Sequence, residues 1–540
     1  MHAHKVICSF AVLAGAGTLL VAPSLTGDEG MWTFDNPPLK QLREKYNFTP
    51  TEQWLDHIRL SSVRLNDGGS GSFISPHGLL LTNHHVARGQ LQKNSSAEHD
   101  YIHDGFYAAD PAQEMKSPDL EVNVLVSMEN VTPQVMQAVQ AAKTPEEQFA
   151  ARKAKIAQIE RESQQKTGFR SDVVALYQGG EYWLYRYRKY TDVRLVFAPE
   201  EQTAFFGGDP DNFTYPRYDL DMALFRVYDN GKPIDSKDYL KWNPAGAAED
   251  ELVFVSGHPG ATSRLDTMAQ LAFLRDIGLP NALKSLHNRV EALERYSARG
   301  AEQARQAASL IFFLQNSVKA DDGVERGLVD ARTIAKKQAE ENEFKAAVMA
   351  NPEWAKEFGG AWDAIAGAET KAATRAAERF YHALDSQLAG LAQTIVQYVA
   401  EIHKPDGERL PGYHESELDS LKLRLFSPAP IYPALEIARM TAALELDLAE
   451  AGKDDAFLKA ILKGRTPGDA AAALANGTKL ADPAVRHKLV DGGEAAVAAS
   501  GDPMIVLARE LDPARREFIH WQEDNIESVE QRAAFCWPSV

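Results

Sequence analysis

The sequence predicts an α+β protein, and three observations support that class. Residues from about 60 to 265 are strand-like and turn-rich, and residues from about 266 onward recur with helical periodicity. A single helical interlude, near 144–165, interrupts the first part. With 540 residues there is chain enough for several domains and for large hydrophobic cores.

The first residues have the form of a targeting segment. His2, His4 and Lys5 precede an apolar stretch from about Val6 to Val21, and small residues follow before Asp28 and Glu29. A short positive region, an apolar region and small residues are the marks of a secretory signal peptide, here expected over 1–27. The apolar run is too short to favour an uncleaved membrane anchor, and no other stretch is long enough to span a bilayer. Export, with no membrane attachment after cleavage, is the expectation. Cys8 lies in this segment and Cys536 lies five residues from the last position. Nothing between them can form a bridge, so stability is expected to rest on the core.

The strand-like part opens on Gly69-Ser70-Gly71-Ser72-Phe73-Ile74-Ser75, then Pro76-His77-Gly78, Leu79-Leu80-Leu81 and Thr82-Asn83-His84-His85-Val86. Two short apolar runs around a Pro/Gly turn predict a hairpin. A histidine just beyond a hairpin is held more firmly than one on a free loop, which suits a general base, and His85 is the candidate. Further strands are expected at the alternation Val122, Val124 and Val126, at 193–197, at 222–228 and at Leu252-Val253-Phe254-Val255-Ser256. The helical interlude starts at Thr144-Pro145-Glu146-Glu147, a capping box with proline at the first helical position.

The acid that orients a catalytic histidine is expected between His85 and the helical part. Residues 205–222 offer Asp209, Asp211, Asp219 and Asp221. Asp209 and Asp211 sit in Gly/Pro-rich loop text that suits turns. Asp221 directly precedes an apolar strand, where a carboxylate can be half-buried and can accept the Nδ1–H of His85.

Beyond 266, Leu283, Leu286, Val290 and Leu293 recur at helical spacing, as do Leu384, Leu388, Leu391, Ile395, Val399 and Ile402. These amphipathic helices are expected to pack on one another, with turns such as Lys404-Pro405-Asp406-Gly407 between them. The formal net charge of −18 argues against nucleic acid as a partner.

Taken together, Gly30-Met31-Trp32-Thr33-Phe34-Asp35, Thr82-Asn83-His84-His85, Gly208-Asp209-Pro210-Asp211-Asn212 through Pro216-Arg217, and Gly257-His258-Pro259-Gly260 resemble the bacterial dipeptidyl-peptidase 7 and 11 family. The resemblance runs from Asp28 to about Phe535. It implies a chymotrypsin-like double β-barrel, its second barrel incomplete here, over 28–265. It also implies a large inserted α-helical domain over 266–530 that caps the cleft, and a truncated return to the barrel over 531–540. Such enzymes are secreted serine exopeptidases, usually dimeric, that release dipeptides from the free amino end of peptides in the periplasm or at the cell surface, with no cofactor. By the same resemblance His85 and Asp221 match the catalytic histidine and aspartate, and His84 matches a structural position. Asn212 and Asn316 match asparagines that hold the substrate's α-ammonium group, and Phe213 an aromatic that flanks it. An amide oxygen is an acceptor and suits that task. Met222 and Val86 depart from the phenylalanine and cysteine usual at those positions.

The nucleophile is missing. A G-x-S-G-x-P loop, with its backbone oxyanion hole, is expected after the acid, and none follows Asp221. Ser256 and Ser500 are the nearest imitations, and Ser70 and Ser72 belong to the hairpin. A frameshift or truncation near residue 536 is the expected cause. Two functions follow: a secreted serine dipeptidyl-peptidase by family, or a catalytically inactive remnant that still binds peptides. A zinc hydrolase using His84 and His85 is weaker, since no H-E-x-x-H spacing occurs.

Overall fold

The computed structural model describes residues 30–533, apart from 67, 205–207, 209, 215 and 261. The expected signal peptide and the residues from 534 onward lie outside the described residues. The α+β expectation holds: a sheet occupies the first part of the chain, and from Met268 to Ala533 the regular structure is helical.

Eleven strands form one sheet among the described residues. They are β1 Ser62–Leu65, β2 Ser70–Phe73, β3 Leu79–Thr82, β4 Phe106–Tyr107, β5 Met115–Lys116 and β6 Val122–Asn130. The remaining five are β7 Arg170–Leu176, β8 Glu181–Tyr190, β9 Asp192–Ala198, β10 Ala223–Asp229 and β11 Lys232–Pro233. The order is β4-β9-β10-β3-β2-β1-β6-β8-β7, with β5 on β9 and β11 on β10. All recorded pairings are antiparallel.

The predicted hairpin is β2–β3, with Phe73 opposite Leu80 and Gly71 opposite Thr82. Its turn needs glycine at 78, where φ is +67° and a Cβ would come 2.8 Å from the Val227 carbonyl oxygen of β10. Alternate residues point inward: Phe73, Leu80, Leu195 and Phe225 are buried in one cluster. Ala87 and Leu91, four apart on the helix His84–Asn94, fill the same cluster and fix that helix to the sheet. The capping box at Thr144 starts the helix Pro145–Thr167 as expected, with both reciprocal bonds made to Glu147.

The expected strand at 252–256 does not form. That segment is irregular: Val253, Phe254 and Val255 are exposed, although the Phe254 ring still touches Trp54 and Phe48 at 5.2 and 5.4 Å. β-branched residues favour a strand only where a partner backbone completes the ladder, and none of the described residues pairs with this stretch.

In the helical part, Leu388, Ile395 and Val399 of Gln387–Glu401 lie buried in the largest cluster, while Leu384 and Ile402 fall outside the helix. Leu293 of Leu279–Ser297 packs with Leu314 of the long helix Ala301–Val329. Two buried carboxylates tie the sheet side to the helices. Glu121 accepts from Ser420, and Glu160 accepts from Ser416 and from the Val173 backbone N–H. Among the described residues no helix is long and apolar enough to cross a membrane.

Candidate active site

The β3–β10 register builds the first half of the site. Thr82 lies opposite Ala223, so the chain leaving β3 at Asn83-His84-His85 runs beside the chain entering β10 at Asp221-Met222. His85 falls in the first turn of its helix rather than on a free loop. Asn83, the residue before that helix, is extended and makes no side-chain cap. Asp221 supplies the cap instead: its Oδ1 accepts the His85 backbone N–H at 3.0 Å, one of the donors a helix start leaves unpaired. Its Oδ2 lies 2.7 Å from His85 Nδ1 and accepts from Asn83 Nδ2 at 3.1 Å. The acceptor-only carboxylate makes Nδ1 the protonated nitrogen, which turns Nε2 into the acceptor that a general base needs.

Asp221 is largely buried and His85 is one-third exposed, with side-chain exposures of 15% and 33%. Burial on its own would raise the Asp221 carboxyl, but hydrogen bonds from His85 and the charge of its ring more than offset it and hold the carboxyl below the usual carboxylate range. His84 is fully buried, and burial, with the Arg88 charge beside it, pushes its imidazole down to about 4. It is a neutral core residue at neutral pH.

The second half is the loop that precedes Asp221. Asn212 is 1% exposed, and its Nδ2 donates to Asn316 Oδ1 at 2.8 Å, although the two are 104 residues apart. Phe213 is exposed and adopts a φ of +61°, a backbone conformation that bulky residues rarely take. Lys319, three residues after Asn316 on the long helix, donates to the Pro210 carbonyl at 2.8 Å. Phe312 of the same helix lies under the Arg88 guanidinium, 4.2 Å from it. One helix therefore braces both the His85 helix and the Asn212 loop.

The structure thus brings His85 to Asp221 and Asn212 to Asn316, and keeps Phe213 at the surface of the same loop. The serines that imitate a nucleophile are engaged elsewhere. Ser256 Oγ bonds Ser62 Oγ at 2.8 Å, Ser70 Oγ accepts the His258 N–H at 2.6 Å, and Ser500 Oγ accepts the Asp502 N–H at 3.3 Å. Among the described residues no three His, Cys, Asp or Glu side chains group as metal ligands.

Three contributors were not foreseen: Asn83 as a second donor to Asp221, Arg217 as a donor to Asn212 Oδ1 at 2.8 Å, and the Arg88–Phe312 contact. Arg217 was the one within reach of sequence reasoning, because a donor-only side chain five residues from a buried asparagine needs an acceptor.

Among curated relatives, the chain is 29% identical over 406 residues to a "Dipeptidyl-peptidase 7" of Capnocytophaga gingivalis, covering 71% of this chain and 56% of that one. It is 29% identical over 433 residues to an "Asp/Glu-specific dipeptidyl-peptidase" of Shewanella putrefaciens, covering 76% and 58%. The chain therefore spans less than three fifths of the length of either relative. Among solved structures, Porphyromonas endodontalis DPP11 in complex with the dipeptide Arg-Glu superposes with a TM-score of 0.69 at 21% identity, over 94% of this chain and 77% of that one. The same protein in complex with substrate gives 0.65 at 22% identity, over 94% and 76%. These two similarities are of fold. The family description Peptidase S46 matches residues 27–536, a span that holds every site residue above, and the chain belongs to the Peptidase S46 family.

Proposed function

We propose that the chain carries the acid–base pair and the amino-end clamp of a serine-type dipeptidyl-peptidase. The observation behind the reading is the pairing of His85 with Asp221, made at both the ring and the backbone. In this reading Nε2 of His85 takes the proton of a serine hydroxyl as its oxygen attacks the peptide carbonyl, and returns it to the leaving amine. Water then repeats the sequence on the acyl-enzyme, with Asp221 fixing the tautomer and stabilising the imidazolium throughout. Asn212 and Asn316 accept hydrogen bonds from the substrate's α-ammonium group and Phe213 flanks it. Closing one end of the cleft in this way limits release to dipeptides from a free amino terminus.

The names of the two curated relatives support the reading, as do the dipeptide and substrate complexes of the matched fold. With it go a chymotrypsin-like barrel capped by the helical part, no cofactor, export to the periplasm or cell surface, and a homodimer.

Within these 540 residues no G-x-S-G-x-P stretch follows Asp221. The second reading is peptide binding without cleavage. The test is release of dipeptides from free-amine and N-acetylated peptides by the product of the resequenced gene, with His85→Ala alongside. Release from the free-amine peptide alone, abolished by His85→Ala, is the expected result. Binding without release puts the second reading in its place, and neither binding nor release rejects both.

A further inference from the structure

We infer that Arg217 is a positioning residue for the substrate's amino end, locking the amides of Asn212 and Asn316 in the orientation that makes both oxygens acceptors. The inference rests on the proposed recognition of an α-ammonium group by these two asparagines.

An asparagine side chain can turn over, exchanging its oxygen for its NH2 group, and the two faces have opposite meaning for an ammonium ion. An ammonium only donates, so it needs oxygen. What decides the orientation is the neighbour, and here the neighbour only donates as well. Arg217 Nη1 bonds the Asn212 side chain at 2.8 Å, so the Asn212 atom facing it is Oδ1. The NH2 group of Asn212 is thereby sent to Asn316, and the atom that receives it, 2.8 Å away, is Asn316 Oδ1. One guanidinium sets two amides in series. Each amide oxygen has two lone pairs, so one engaged in this relay can still take a second donor.

Turning Asn212 over would set its NH2 group against the guanidinium and its oxygen against that of Asn316. Asn212 is only 1% exposed, so water has little access to repair that mismatch. The relay therefore has one low-energy state. Its own charge is managed too: Arg217 Nε bonds Asp219 Oδ2 at 2.9 Å, and the two side chains are 15% and 19% exposed. The counter-charge lets a cation stand beside an ammonium site without a net repulsive field. Arginine suits this double task because its fork bonds two partners at once, whereas lysine is a point donor.

The loop has a separate anchor. Lys319 holds the Pro210 carbonyl from the helix that bears Asn316. Loss of Arg217 is therefore expected to free the amide orientation while the loop stays docked.

The test compares two ligand pools by equilibrium depletion: a tetrapeptide library randomised at its first two positions, and the same library with a des-amino first residue. Wild type is expected to prefer the free-amine pool. Arg217→Met is expected to lose about tenfold to a hundredfold of that preference, the size of one charge-assisted hydrogen bond, with affinity for the des-amino pool unchanged. Arg217→Lys, which retains one donor, is expected to recover part of it. Thermal unfolding establishes that each variant is folded. If Arg217→Met keeps the wild-type preference, or if both folded variants lose both pools equally, the inference is overturned while amine recognition stands. If wild type shows no preference, amine recognition itself is rejected, and the inference with it.

Discussion

Replacing Asp221 with asparagine changes almost nothing in shape and a great deal in hydrogen bonding. Three donors converge on the carboxylate: the His85 backbone N–H at 3.0 Å, His85 Nδ1 at 2.7 Å and Asn83 Nδ2 at 3.1 Å. A carboxylate accepts all three, but an amide has one oxygen. If that oxygen stays on the helix end, the new NH2 group faces Asn83 and the His85 ring. The ring must then accept at Nδ1, which moves its proton to Nε2 and removes the base. If the oxygen turns to the ring, the start of the His85 helix loses its cap. Either way one or two charge-assisted bonds go, each of about 1.5–3 kcal/mol, partly offset because a half-buried charge is no longer held out of water. The net expectation is a loss of about 1–3 kcal/mol in stability, read by urea unfolding at pH 7. In the first orientation the 15N resonances of the His85 ring should show the proton shifted from Nδ1 to Nε2, and in the second the urea midpoint alone should fall. Where turnover exists, the same substitution in serine triads lowers kcat about 10⁴-fold. An Asp221→Asn chain with the wild-type urea midpoint and Nδ1 still protonated would refute the reasoning.

Other perturbations probe the buried groups and the strained loop. Glu160, whose carboxyl burial pushes up to about 8, binds its proton more tightly when folded, so stability is lost as pH rises from about 4.5 to 8. Glu160→Gln should therefore raise the unfolding free energy from urea titration at pH 8, by about 1–3 kcal/mol, and leave it unchanged at pH 5. His84 behaves in the opposite sense. Its folded value of about 4 lies below the ordinary value of 6.5, so the unfolded chain gains the proton first and stability falls as pH drops through that window. The span corresponds to on the order of 3 kcal/mol. Among the described residues neither ring nitrogen of His84 has a hydrogen-bond partner, so His84→Leu should cost little at pH 7 and flatten the acid limb of a pH–stability curve. Phe213→Gly relieves the positive φ and removes an exposed ring, so thermal stability should hold within about 1 kcal/mol while affinity for free-amine peptides falls.

Much of the fold was legible because its signals are local. The β2–β3 hairpin, the capping box at Thr144 and the strands before and after the 205–222 loop each depend on a few adjacent residues, and each forms where expected. The segment 252–256 failed for the complementary reason. Its apolar β-branched residues carry a preference, but a strand needs a partner backbone, and the partner is not encoded in those five residues. His85 and Asp221 were found by placement, one just past a hairpin and the other just before a strand. Arg217 was passed over although it stood in a motif already singled out, because motif reading names residues and does not count donors against acceptors.

By itself the sequence determined the α+β class, the place of the helical region, the candidate base and acid, and the acidic net charge of the chain. Those follow from periodicity, turn chemistry and charge, which act over a few residues or over the whole composition. Only the tertiary structure decided that Asp221 caps the very helix that carries its histidine, since that depends on the Thr82–Ala223 register between β3 and β10. It likewise decided that Asn212 meets Asn316 and that Arg217 sets the direction of both amides. Hydrogen bonds between residues 104 or 136 positions apart depend on how whole elements pack, and packing is a property of the folded chain rather than of any stretch of it.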